Sequence, residues 1–199
     1  MGDRFYLIPS DIPYRGSRAD AAGAMPQIVQ GGISDRDLEH VLEPLDASHV
    51  ALVIDACQSG QALGAESARY GPMNSRGLAQ LAYEKGIAIL AASQAYQAAL
   101  ESARLGHGYL TFALVEEGLK GHAADRTPRD GAVTIDEWFA YAVRRVPQLQ
   151  SEAIDDARQV GRALRFDVGP ARPGESRVQT PRVFSRRHPP ATPFVVARP

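Results

Sequence analysis

An α/β domain with a mostly parallel sheet is the fold class this sequence predicts. Two unbroken apolar runs, Val50-Ala51-Leu52-Val53-Ile54 and Ile87-Ala88-Ile89-Leu90-Ala91-Ala92, read as strands covered on both faces, as parallel strands are. Segments of helical periodicity lie between and after them. The resulting order, strand–helix–strand–helix, is that of a sheet with crossover helices. There are no internal repeats.

Length and composition narrow the function classes. The chain has 199 residues, 44% of them apolar and 23% charged, which is an ordinary globular balance with enough length for a real core. With 22 Lys+Arg against 23 Asp+Glu, the net charge of −1 offers no general field for nucleic acid or anionic lipid. The single cysteine makes no internal disulfide, and no Cys/His cluster has zinc-site spacing. Neither a metal nor another cofactor is expected. No apolar run approaches the ~20 residues of a membrane span, and Met1-Gly2-Asp3-Arg4-Phe5 lacks a signal-peptide core. A cytoplasmic placement is the expectation.

Phe5 to Pro9 reads as a short strand stopped by proline. Residues 10–33, rich in Gly, Pro, Ser and Arg, predict a long loop with a helical turn near Ala21–Met25. Ser34 then caps a helix, Ser34-Asp35-Arg36-Asp37 forming a box, with Leu38, Val41, Leu42 and Leu45 on one face. Pro44 ends it. Leu78 to Lys85 predicts a helix closed by Gly86. Residues 93–107 read as a loop. Tyr109 to Leu119 predicts a helix with Leu110, Ala113, Leu114 and Leu119 inward. Thr134 caps the next helix, Glu137 completing the box, with Ile135, Trp138, Phe139, Ala142 and Val146 as the apolar face. Beyond Pro147 the periodicity fades. Residues 167–193 predict a surface wrap without regular structure, and Phe194-Val195-Val196 a final strand.

Cys57 carries the first chemical signal. It follows a parallel strand and opens a Gly-containing turn, Asp55-Ala56-Cys57-Gln58-Ser59-Gly60, and ligands of open α/β sheets bind at the carboxyl ends of strands. A lone cysteine is ordinarily a small buried hydrophobe. At a strand end followed by small residues, though, a thiol can be exposed and its turn can offer N–H groups to an oxyanion.

The Asp55–Gly60 motif resembles the nucleophile motif of the caspase-like cysteine peptidases, in their metacaspase and bacterial caspase-domain branch. Tyr6-Leu7-Ile8-Pro9-Ser10-Asp11 is similar to the segment after that family's histidine loop. Ile89-Leu90-Ala91-Ala92-Ser93, with Glu101 later, resembles the border of its primary specificity pocket. Gly108-Tyr109-Leu110-Thr111-Phe112-Ala113-Leu114, Gly131-Ala132-Val133-Thr134-Ile135-Asp136-Glu137 and Gln179-Thr180-Pro181 resemble its later elements, in the same order. The resemblance implies a three-layer caspase-like fold over residues 1–166, with 167–199 a Pro/Arg-rich segment packing on or closing the same domain. It implies a cysteine endopeptidase with Cys57 as nucleophile, acting on protein or peptide. The alternative is a non-catalytic, peptide-binding relative.

One departure is large. The family's histidine stands in a His-Gly pair roughly 50 residues before the cysteine, and no histidine precedes His40. The expectation is therefore a domain lacking its first strands and inactive as it stands. Among the other histidines, His49 begins the strand that ends at Cys57, about 26 Å away. His40 lies mid-helix facing solvent; His122 follows a helix and His188 sits in the tail. His107, in Gly106-His107-Gly108, imitates the pair and leaves the same sheet edge as Cys57, yet in the resemblance it only leads into the next helix.

Asp55 and Ser93 bear on substrate choice. A carboxylate two residues before the nucleophile would favour a cationic P1 side chain by charge-assisted hydrogen bonding, and the resemblance implies Arg or Lys there; the same carboxylate could instead cap backbone N–H groups of the turn. Ser93 is a pocket residue or a turn former, and Glu101 is an ordinary surface residue of a helical turn. Asp130-Gly131-Ala132-Val133 with Glu137 imitates half an EF-hand, but Arg126 and Pro128 would fill the first and third ligand positions, where neither binds calcium. Arg177, Arg182, Arg186, Arg187 and Arg198 make the tail basic, but beyond Phe184 and Phe194 it lacks the interleaved aromatics of a nucleic-acid site. With no leading strand beside it, the Cys57 strand is an exposed edge, and self-association through it is expected.

Overall fold

The computed structural model describes residues 6–9, 11–12, 21–55, 75–92, 101–102, 107–159, 178–185 and 192–198. The chain is α/β. At its centre β3 (Ala51–Ile54) and β4 (Ala88–Ala91) pair in parallel, and β8 (Arg182–Phe184) adds antiparallel to the other side of β4. The central sheet is thus mixed. Among the described residues three further antiparallel pairs form: β1 (Tyr6–Leu7) with β2 (Ile33–Ser34), β5 (Glu101–Ser102) with β6 (His107–Gly108), and β7 (Val133–Thr134) with β9 (Val195–Ala197).

Helices cover both faces of the sheet, and β4 shows how. Leu90 and Ala92 face one cluster with Tyr109, Leu110, Ala113, Leu114, Phe139, Ala142 and Val146. Ile89 and Ala91 face the other, with Ile54, Leu81, Ala82, Ile87 and Phe184. The first cluster belongs to α4 (Tyr109–Thr111), its π-helical continuation (Phe112–Lys120) and α5 (Ile135–Gln159). The second belongs to α2 (Asp35–Leu42) and α3 (Ser75–Lys85). A strand buried on both sides is why β4 has no polar alternation in its sequence.

Local rules hold at the element ends. Ser34 and Asp37 form the expected capping box: Ser34 N–H donates to Asp37 Oδ2 at 2.7 Å and Asp37 N–H to Ser34 Oγ at 3.2 Å. Gly86 closes α3 at φ +65°, a left-handed position. Thr134 and Glu137 form a second box, with Thr134 N–H and hydroxyl donating to Glu137 Oε2 at 3.0 and 2.8 Å.

Five expectations need correction. Residues 21–31 form a full helix, α1 (Ala21–Gly31), which runs through Pro26; its end is packed by Ile12 and Ile8 against Gly31 and Gly32, so tertiary contact overrides poor local propensity. On α2 only Leu38 and Leu42 reach the core, while Val41 and Leu45 are exposed. Helix α5 continues through Pro147 to Gln159, because Val146, Leu149 and Gln150 are buried on either side of the proline. Within the stretch read as unstructured wrap, β8 inserts Phe184 into the core. The loop read over 93–107 carries β5 and the start of β6.

Candidate functional site

Parallel pairing brings the ends of β3 and β4 to one edge. Ile54 stands opposite Ala91, and Ala92 N–H donates to Ile54 O at 2.8 Å. Asp55 therefore leaves the sheet beside Ala92. Its carboxylate is exposed yet held: Oδ2 accepts the Thr111 N–H at 3.2 Å and a hydrogen bond from the Thr111 hydroxyl. Thr111 lies in the first turn of α4, whose N-cap, Gly108, has no side chain to offer that turn. Asp55 supplies the acceptor from another element, with the charge sign a helix start favours. Gly108 makes the approach feasible. A Cβ there would stand 2.7 Å from Asp55 Oδ2.

The end of β4 is held from the opposite direction. Gln179, with no exposed surface, donates through Nε2 to Ala92 O at 3.0 Å. Its own N–H donates to Oε1 of Gln150, buried on α5, at 2.7 Å. A buried amide must be paired, and this one joins the C-terminal segment, α5 and the strand end that precedes Ser93. Sequence reasoning took Gln179 only as part of a tail motif and overlooked Gln150, since a glutamine carries no periodic signal of burial.

Cys57 and Ser93 lie outside the described residues, as does His188. Of the two residues named for substrate choice, Asp55 alone is described. His107 pairs with Ser102 through β5 and β6, and because the next residue, Gly108, lies against Asp55, its backbone stands at the β3 edge. His49, at the other end of β3, stacks on the Phe194 ring with centroids 4.8 Å apart. His40 is exposed on α2, and His122 turns the chain at φ 53° after the π-helix.

The half EF-hand has a structural account. Glu137 Oε1 accepts the N–H groups of Arg126 and Thr127 at 3.2 and 2.8 Å, and Asp125 accepts those of Asp130 and Gly131 at 3.3 and 3.0 Å. Burial pushes the Glu137 carboxyl up, but backbone hydrogen bonds from Thr127 and Thr134 outweigh it and leave it below its usual value. These carboxylates organise the loop ahead of α5. Among the described residues no group of three or more His, Cys, Asp or Glu could hold a metal ion.

No family model, curated protein or solved structure matches the chain. Its chemistry rests on its own residues. Among the described residues, no helix is long and apolar enough to cross a membrane.

Proposed function

We propose that this chain is part of a caspase-like cysteine endopeptidase domain, with Cys57 as nucleophile and Asp55 and Ser93 selecting Arg or Lys at P1. The fold proposed is the three-layer caspase-like one with a mostly parallel sheet. The carrying observation is Asp55: a carboxylate fixed at the carboxyl edge of a parallel pair, two residues before the only cysteine. That edge is where open α/β sheets bind ligands.

In this reading the Cys57 thiolate attacks the scissile carbonyl carbon, and the C=O electron pair moves to oxygen. Backbone N–H groups of the turn after β3 stabilise that oxyanion. Collapse breaks the C–N bond, an imidazolium delivers its proton to the leaving amine, and water then hydrolyses the thioester. In the family that the chain resembles, that imidazole stands in a His-Gly pair.

A second reading, a peptide-binding relative without catalysis, is favoured by His49, which stacks on Phe194 at the end of β3 opposite Asp55, and by His40, which is exposed on α2. One experiment separates the two. The 199-residue chain should hydrolyse Arg- or Lys-containing peptides negligibly, with Cys57 alkylation rising through about pH 8.5, the unperturbed thiol value. A chain extended upstream by a His-Gly segment should alkylate at lower pH and gain activity that Cys57→Ala abolishes. An unchanged alkylation profile in the extended chain would remove the nucleophile and leave the binding reading. Activity of the shorter chain that is lost on His107→Ala would make His107 the base.

A further inference from the structure

Asp55 lies against the start of α4, at residues that need not touch a substrate. Thr111 supplies two donors, both to Oδ2, and Oδ1 accepts no hydrogen bond among the described residues. Gly108 supplies the space, since a Cβ would fall 2.7 Å from Oδ2 and 3.2 Å from Oδ1. An exposed aspartate would ordinarily sample several rotamers. Here one oxygen is tied to a helix whose next turns are buried in the core through Leu110, Ala113 and Leu114, so the other oxygen's direction is set by the fold.

We infer that Thr111 and Gly108 are positioning residues for substrate selection. They hold Asp55 with Oδ2 occupied and Oδ1 directed outward as a single acceptor for a cationic side chain, guanidinium or ammonium. This rests on the peptidase reading above for the identity of the substrate, but the Asp55 geometry stands without it. A carboxylate held in one orientation binds a planar guanidinium without first losing rotamer freedom. Freed from Thr111, it would lose its aim.

The test is the rate at which Cys57 is labelled by a peptidyl arginyl chloromethyl ketone, divided by the rate for its alanyl counterpart. Both reagents alkylate the same thiol, so the ratio cancels thiol reactivity and reads side-chain recognition. The wild-type chain should favour the arginyl reagent about tenfold or more, the scale of one charge-assisted contact. Thr111→Val and Gly108→Ala should bring the ratio close to that of Asp55→Asn, while Thr111→Ser, which keeps the hydroxyl, should restore it. Thermal melts identify a variant that has merely unfolded, and Thr111→Ser against Thr111→Val then decides the matter.

An unchanged ratio in folded Thr111→Val overturns the inference. So does equal labelling by both reagents in the wild type, which leaves Cys57 as nucleophile untouched. If Cys57 reacts with neither reagent while p-aminobenzamidine binds and is lost in both Asp55→Asn and Thr111→Val, the peptidase reading falls and the positioning role stands.

Discussion

Gln179 shows what one residue contributes here. Its side chain and its N–H are spent on two different elements, the Ala92 carbonyl and the Gln150 side chain, with no water-exposed surface to fall back on. Removing one partner of a buried hydrogen bond costs more than the bond itself contributes, because the survivor stays desolvated. Gln150→Leu is expected to destabilise the chain by about 1–3 kcal/mol, since it strands the Gln179 N–H. Urea unfolding of the purified variant measures it, and an unchanged midpoint would show that the N–H finds another acceptor.

The element with least precedent in the sequence is the helix from Tyr109 to Lys120. Its apolar spacing predicts an α-helix, and Leu110, Ala113 and Leu114 are buried as that spacing requires. After one α turn, however, the hydrogen bonding widens to the π register, shown by Gly121 N–H donating to Glu116 O at 3.0 Å. Helix α5 supports the wider turns: Trp138 Nε1 donates to Leu114 O at 2.9 Å, and Tyr141 and Arg145 reach Glu117 at 2.9 and 2.7 Å. Gly118 is required within it. A Cβ there would stand 2.8 Å from Ala113 O, the carbonyl five residues back. Gly118→Ala should therefore cost about 1–3 kcal/mol, the usual range for overpacking. A thermal melt checks this, and a stabilised variant would mean that the segment returns to α register without strain.

At the scale of the molecule, two titrations couple these helices to stability. Burial raises the Glu117 carboxyl, but the hydrogen bonds from Arg145 and Tyr141 and the Arg145 charge hold it below its ordinary 4.5. A carboxyl depressed by folding is protonated more readily in the unfolded chain. Its stabilisation is full above about pH 4.5 and is lost as pH falls through the folded value. Tyr141 is pushed up to about 12, first by burial and then by its bond to Glu117. Its contribution is full below its ordinary 10.0 and is lost as pH rises through about 12. Tyr141→Phe should flatten the alkaline limb of a stability–pH curve between these values, and Arg145→Met should flatten part of the acid limb. Urea midpoints across pH decide both.

The sheet sets the other molecular-scale expectation. Among the described residues β3 is paired on one side only and Val53 on it is 36% exposed, a geometry that invites strand pairing between chains. Light scattering should show concentration-dependent self-association that Val53→Lys reduces. Association unaffected by Val53→Lys would point to another surface.

Features settled within a few residues were legible from the sequence alone. The Ser34–Asp37 and Thr134–Glu137 boxes close over three residues, Gly86 ends α3 locally, and the runs at Val50–Ile54 and Ile87–Ala92 announce burial by composition. A bond that short costs little chain entropy to close, so residue type and spacing suffice. Tertiary structure decided whatever depends on partners far along the chain. Thr111 finds Asp55 across 56 residues and Gln179 finds Ala92 across 87. Helix α5 passes Pro147 and β8 forms from a Pro/Arg-rich stretch because buried neighbours outweigh local preference. The candidate site is of this second kind. Its aspartate could be named from the motif, but which oxygen is tied, and by which helix, follows only from how distant elements pack.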